Sequence, residues 1–246
     1  MINFDQKNYF IFGVHATRTA IRFSPDRCKK LFLARKGPGI SSLIAEANAH
    51  NIPIEYHDKD SLQSRFSVSK DAQGVILKCL PPRVLNISEL TELKNLNSVL
   101  ILDSFQDPAN LGRAARAAWC FGIDAMIINK DRSASITPGA EKSAAGAFSV
   151  VPVARVSSLV EAIKKLKDLG FFIYGAIEQG TISLHECEFA KKSAFVIGQE
   201  GSGMREPVKK ACDFLVKIPM SKNAECLNAA DTALLFLYQF SCNMKK

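Results

Sequence analysis

Short apolar runs recur along the chain, separated by stretches whose hydrophobic positions return at helical spacing. Val99-Leu100-Ile101-Leu102 is a continuous run of the kind shown by a strand buried on both faces, and it stops at Asp103. A helix is predicted from Ala109 to Phe121, with Gly122 closing it. Ala125 to Ile128 gives the next strand, and Pro138 opens a helix running through Ala147. Leu159, Ile163, Leu166 and Leu169 form one helical stripe ended by Gly170, followed by a strand from Phe171 to Ile177. Phe195-Val196-Ile197 is a short strand, Glu206 to Cys212 a helix, and Phe214 to Ile218 a strand that stops at Pro219. The last helix, Asn228 to Phe240, is apolar on nearly every side, so the core or a second subunit must cover it. This alternation predicts an α/β domain on a parallel, doubly wound sheet.

The front of the chain alternates in a smaller compass. Tyr9 to Val14 and Lys30 to Ala34 read as strands around a helical piece from His15 to Phe23. Lys36-Gly37-Pro38-Gly39 is a turn, and Ser41 or Ser42 is a candidate cap for a helix from Leu43 to His50. Ile52 to Tyr56 and Gln73 to Lys78 are further strands. The expected organisation is a small α/β module over residues 1–80, a linker over 81–96 marked by Pro81-Pro82-Arg83, and a larger domain over 97–246.

Composition narrows the function classes. With 47% hydrophobic and 23% charged residues the chain is that of a folded globular protein. It carries no apolar run long enough to span a bilayer and no signal-peptide pattern, so the cytoplasm is the expected compartment. Seven scattered cysteines without a C-x-x-C pair, and four histidines without ligand spacing, point to reduced thiols and to no metal site. The formal net charge is +8, and the stretch up to Asn95 holds 14 basic and 9 acidic residues. The positive excess is densest there, as a surface for phosphates requires.

Three blocks carry candidate chemistry. The first is Asp103-Ser104-Phe105-Gln106-Asp107-Pro108-Ala109-Asn110-Leu111-Gly112, followed by Arg116. The second is Gly198-Gln199-Glu200-Gly201-Ser202-Gly203, and the third is Ile218-Pro219-Met220 followed by Leu227-Asn228. The glycines read G-x-x-G-x-G, so neither a Rossmann fingerprint nor a P-loop is present. Two strand-to-loop exits rich in glycine, proline and asparagine let a ligand approach bare backbone. Free amides where a helix opens at Asn110 attract phosphate, and Arg113 and Arg116 project from nearby faces of that helix.

In this order the three blocks resemble the SpoU (TrmH-like) family of RNA ribose 2′-O-methyltransferases, within the SPOUT superfamily, over about residues 97 to 246. Gly13-Val14-His15-Ala16 is similar to the opening of the small RNA-binding domain many members carry in front. Together with Lys130-Asp131-Arg132-Ser133-Ala134, that front looks most like the RlmB group, which modifies a guanosine in large-subunit ribosomal RNA. The resemblance implies a parallel-sheet domain with a deep trefoil knot, homodimers formed through it, and S-adenosyl-L-methionine bent in the knot. Carried over by position, it assigns the cofactor to Gly198, Glu200, Gly201, Ile218, Met220 and Leu227. It assigns catalysis to Arg116, Asn110, Glu200 and Asn228, and RNA contacts to Arg113, Arg116 and Lys222.

A guanidinium stays charged, so Arg116 is expected to stabilise the developing alkoxide on the ribose 2′-oxygen and not to act as a base. The chain departs from the family pattern at three places: Cys226 stands where it usually has Ser, Lys222 near a usual Gly, and Ala229-Ala230 where V-S or V-A often follows the Asn. They leave open a non-catalytic RNA-binding protein of the same fold. A transfer RNA target is a further alternative, and a nucleotide-dependent oxidoreductase is disfavoured by the missing fingerprint.

Overall fold

The computed structural model describes residues 9–34, 39–66, 73–221 and 223–244. Elements follow in the order β1 (Tyr9–Phe12), α1 (Val14–Phe23), β2 (Cys28–Ala34), α2 (Ile40–Ala49), β3 (Ile54–His57), α3 (Lys59–Phe66) and β4 (Val75–Cys79). Next come β5 (Val84–Leu85), α4 (Ile87–Thr91), β6 (Ser98–Leu102), α5 (Pro108–Cys120), β7 (Ala125–Asn129), α6 (Pro138–Ser143), β8 (Val153–Val156) and α7 (Leu159–Asp168). The chain ends with β9 (Phe172–Ala176), β10 (Ile182–Ser183), β11 (Ser193–Ile197), α8 (Glu206–Ala211), β12 (Phe214–Lys217) and α9 (Ala229–Met244). Contacts divide it into two units: residues 1–82 with 136–150, and residues 83–135 with 151–246.

In the first unit a mixed sheet of order β1-β4-β2-β3 forms, with β2 and β3 parallel and the other pairs antiparallel. Alternation along β2 sends Leu31 and Leu33 to a core with Ile21, Leu43 and Ala47, and Phe32 and Ala34 to the opposite face with Leu62 and Ile76. α2 begins at Ile40, upstream of both candidate cap serines, with Gly39 at its N-cap in a left-handed conformation (φ 75°) and no side-chain cap. α3 was not legible in the sequence: Leu62 and Phe66, which meet the core, are its two apolar residues, too few to show a period.

The helix expected from Pro138 through Ala147 is broken. α6 ends at Ser143, and Ala145 (φ 50°) and Gly146 (φ 89°) turn the chain into a short 3₁₀ segment, Ala147–Ser149. A Cβ on Gly146 would stand 2.6 Å from Thr19 Cβ, so only glycine allows this close approach. The segment brings Glu141 to Arg27, both buried. Arg27 Nη2 donates to Glu141 Oε1 at 3.0 Å, Nη1 to Ser149 Oγ at 3.0 Å and Nε to the Leu80 carbonyl at 2.8 Å. Burial pushes the Glu141 carboxyl up, against the opposing pull of Arg27. Burial likewise lifts the Cys79 thiol to about 12, leaving it protonated and inert.

The second unit holds a sheet of order β10-β12-β9-β11-β6-β7-β8-β5, every pair among the described residues parallel. β6, β7 and β11 are buried along their whole length, which is why each reads as an unbroken apolar run. The span expected as a linker, 81–96, carries β5, which pairs with β8, and α4, whose Leu90 is fully buried. Asn86 and Glu89 form a reciprocal capping box that starts α4. α9 runs on to Met244, with Ala233, Phe236, Leu237 and Phe240 buried while Leu234 and Tyr238 remain 43% and 53% exposed. No helix of the described residues is long and apolar enough to cross a membrane.

Arg27→Ala leaves a buried carboxylate without its cation. It is expected to destabilise the protein by about 3–5 kcal/mol, read as a lowered urea midpoint, with Arg27→Lys recovering only part of the loss.

Candidate active site

Parallel sheets present their ligand sites beyond the carboxyl ends of the strands. Here a cavity of about 340 Å³ opens beyond β9, β11 and β12. Three loops wall it, each leaving one of those strands. From the first come Ile177, Glu178 and Gln179; from the second, Gly198 to Met204; from the third, Ile218, Met220, Cys226 and Leu227. Phe236 of α9 lines it too, and Ile197 and Val216 add apolar surface.

The glycine-rich loop folds back as a tight hairpin. Gln199 and Gly203 exchange backbone hydrogen bonds at 3.2 and 2.9 Å, and Gly201 and Gly203 take positive φ (81° and 67°). A Cβ on Gly198 would lie 2.2 Å from the Gly203 and Met204 backbone, so the hairpin closes only over a residue without a side chain.

Asp103, at the end of β6 and fully buried, holds the far end of this loop. Its carboxylate accepts from Arg205 N at 2.9 Å, Arg205 Nε at 2.7 Å and Ser104 Oγ at 3.1 Å. Ser104 takes a left-handed conformation (φ 64°), and its N–H donates to Asn129 Oδ1 at the end of β7. A few residues on, Asp107 caps α5 by accepting from Ala109 N and Asn110 N, with Pro108 at the first helical position. That turn borders a second cavity of about 160 Å³, lined by Phe105, Gln106, Asp107, Asn110, Gln199, Glu200 and Ala229. Gln199, Glu200 and Ala229 belong to both cavities.

Between the cavities lies Asn228. Its Nδ2 donates to Glu200 Oε2 at 2.8 Å and to Asn110 Oδ1 at 3.3 Å. Its Oδ1 accepts from Ala230 N at 2.9 Å and Arg113 Nη1 at 3.4 Å. Arg113 also pairs with Asp231.

The structure thus gathers Gly198, Glu200, Gly201, Ile218, Met220 and Leu227 around one cavity, and joins Asn110, Glu200 and Asn228 by hydrogen bonds. It does not bring Arg116 to either cavity. Arg116 is exposed on α5, and of the two arginines it is Arg113 that turns toward Asn228. An offset of three residues turns a side chain by about 60° around a helix, enough to separate the two. Lys222 lies outside the described residues. Residues missed by sequence reasoning include Ile177, Glu178 and Gln179, which carry no motif of their own. Arg205 and Asp231 were missed as well. Their partners are more than one hundred positions away in the chain, so no local spacing marks them.

A doubly wound α/β domain with glycine-lined access to a cavity beyond its parallel strands is a class that binds small ligands through backbone and apolar surface. The comparisons with known proteins make the class particular. Residues 97–238 match the model of the SpoU rRNA Methylase family, and residues 10–85 match that of the RNA 2′-O ribose methyltransferase substrate binding domain. This chain belongs to the SpoU rRNA methylase family. A 23S rRNA (guanosine-2′-O-)-methyltransferase RlmB from Photobacterium profundum is 33% identical, with 94% of this chain and 96% of that protein covered. The RlmB from Pseudomonas syringae pv. tomato is 31% identical, covering 93% of each chain. Among solved structures, an RNA 2′-O ribose methyltransferase superposes with a TM-score of 0.82 at 18% identity, over 98% of this chain and 90% of that one. The SpoU methyltransferase AviRb from Streptomyces viridochromogenes, solved with AdoMet, gives 0.79 at 20% identity over 97% and 91%. These two likenesses concern the fold.

Asp103→Ala strips Arg205 and the loop of their buried acceptor. Chemical unfolding should show a loss of about 2–4 kcal/mol, and amide exchange at residues 198–205 should accelerate more than in β7.

Proposed function

We propose that this protein methylates the ribose 2′-oxygen of a guanosine in large-subunit ribosomal RNA, using S-adenosyl-L-methionine. The observation that carries this reading is that the second and third family motifs line one cavity from loops far apart in sequence, while Asn110 of the first is joined to Asn228 of the third by a hydrogen bond. Support for the RNA target comes from curated relatives that align over the whole chain, front part included, and are named 23S rRNA guanosine-2′-O-methyltransferases.

The lining suits that cofactor. Ile197, Val216, Ile218, Leu227 and Phe236 supply an apolar slot for an adenine, and the carboxylates of Glu178, Glu200 and Glu206 favour a cation. When bound, S-adenosyl-L-methionine supplies an activated methyl group on a sulfonium. Gly198, Gly201, Ile218, Met220 and Leu227 would hold it through backbone and apolar contact. Asn110, Glu200 and Asn228 fix the boundary between the two cavities, where a ribose would enter. Arg116 is proposed as the fixed positive charge that stabilises the developing alkoxide, without acting as a base. Because it lines neither cavity, the bound RNA or a second copy must bring the ribose and this guanidinium together. Lys222 is proposed as a phosphate contact.

The same reading includes a small RNA-binding domain at the front, a knotted methyltransferase domain, and cytoplasmic homodimers. The uncovered Leu234 and Tyr238 on α9 support the pairing, since a large apolar side chain gains by being covered.

Calorimetry should detect S-adenosyl-L-methionine binding to the purified protein, and ribose-methylation mapping should find one guanosine of large-subunit ribosomal RNA unmodified in cells lacking it. Absence of binding at millimolar ligand would favour a non-catalytic RNA-binding role. Arg116→Ala is expected to reduce labelled-methyl transfer at least about a hundredfold while cofactor affinity stays within about twofold. Unchanged turnover in that variant would remove Arg116 from the chemistry.

A further inference from the structure

The geometry points to Arg113 as a positioning residue that fixes the Asn228 amide between the two cavities, in place of the phosphate contact its charge suggests. The Asn228 side chain uses its full hydrogen-bonding capacity, with two bonds accepted by Oδ1 and two donated by Nδ2. The two ends of that amide are not equivalent. Turned over, it would press its NH2 group against a guanidinium that only donates, and its oxygen against the Glu200 carboxylate that only accepts. Arg113 and Glu200 therefore select one orientation from opposite sides.

The grip is built from matched spacing on two helices. Asn110 and Arg113 lie three residues apart on α5, and Asn228 and Asp231 lie three apart at the start of α9. Each pair shares a face, so the amides meet at one level and the charges at the next. Asp231 anchors Arg113 Nη2 while Nη1 reaches Asn228. A guanidinium already matched to a carboxylate has less to offer a phosphate.

The inference rests on reading the larger cavity as the cofactor site. Neither Arg113 nor Asp231 lines that cavity, yet Glu200 does, on the loop Asn228 tethers. Removing either charge takes away one of the contacts that hold the amide, so its grip on Glu200 weakens and residues 198–203 loosen.

The test compares Arg113→Ala, Asp231→Asn and the double variant with the wild-type chain. S-adenosyl-L-methionine affinity is measured by calorimetry. Affinity for an unmodified large-subunit ribosomal RNA transcript is measured by filter binding across a salt series. Each single variant should weaken cofactor binding about five- to tenfold, and the double variant no more than either single one. RNA affinity and its salt slope should match wild type, and the thermal midpoint should barely move, because the charged pair is exposed. Wild-type cofactor affinity in both single variants would overturn the inference. So would a salt slope reduced by about one in Arg113→Ala alone, which marks a phosphate contact. A wild-type chain that binds no S-adenosyl-L-methionine would sink the function reading itself, a result distinct from either.

Discussion

A carboxylate with no access to water must be met by charge and hydrogen bonds, or it disrupts the fold that buries it. Asp103 is in that position at the tip of β6, and Arg205 meets it with both its backbone N–H and its guanidinium. The requirement is local, but its effect spans the second unit. It fixes where the glycine hairpin ends, and so how tightly the chain folds over Gly198. It also sets the start of α8, whose N-cap residue is Arg205 itself. One wall of the cavity beyond β9, β11 and β12 is thus held in place by a buried carboxylate beneath the loop that forms it.

Much of this is legible in the sequence. β6, β7 and β11 are covered on both faces, and an unbroken apolar run such as Val99-Leu100-Ile101-Leu102 has few other homes. The helix expected from Ala109 to Phe121 matches α5 to within one residue at each end, because the Gly122 that closes it acts without help from distant residues. What failed was structure that depends on partners elsewhere. β5 and α4 lie in a proline-marked stretch that reads as a linker, and they exist because β8 and the core receive them. The helix from Pro138 stops early because Ala145 and Gly146 turn the chain onto Thr19, a neighbour no periodicity reveals.

The site divides along the same line. Gly198, Gly201 and Asn228 were recognisable as motif members, since backbone access and amide bridging leave a fixed residue type at a fixed spacing. Arg205 and Asp231 carry as much of the geometry but are defined only by what they touch across the fold. Arg113 and Arg116 show the limit most plainly. Both are arginines on one exposed helical surface, and only the position of α9 decides which of them joins the amide network.

The buried pair of Arg27 and Glu141 bears on how this protein can be taken apart. The first unit is not a continuous stretch of chain: it owns residues 136–150 as well as 1–82. A fragment ending at residue 82 would strand a guanidinium inside an apolar interior and expose the wall that α6 and Phe148 cover. Excision or grafting of a front module between relatives therefore has to carry both pieces, in compatible pairs.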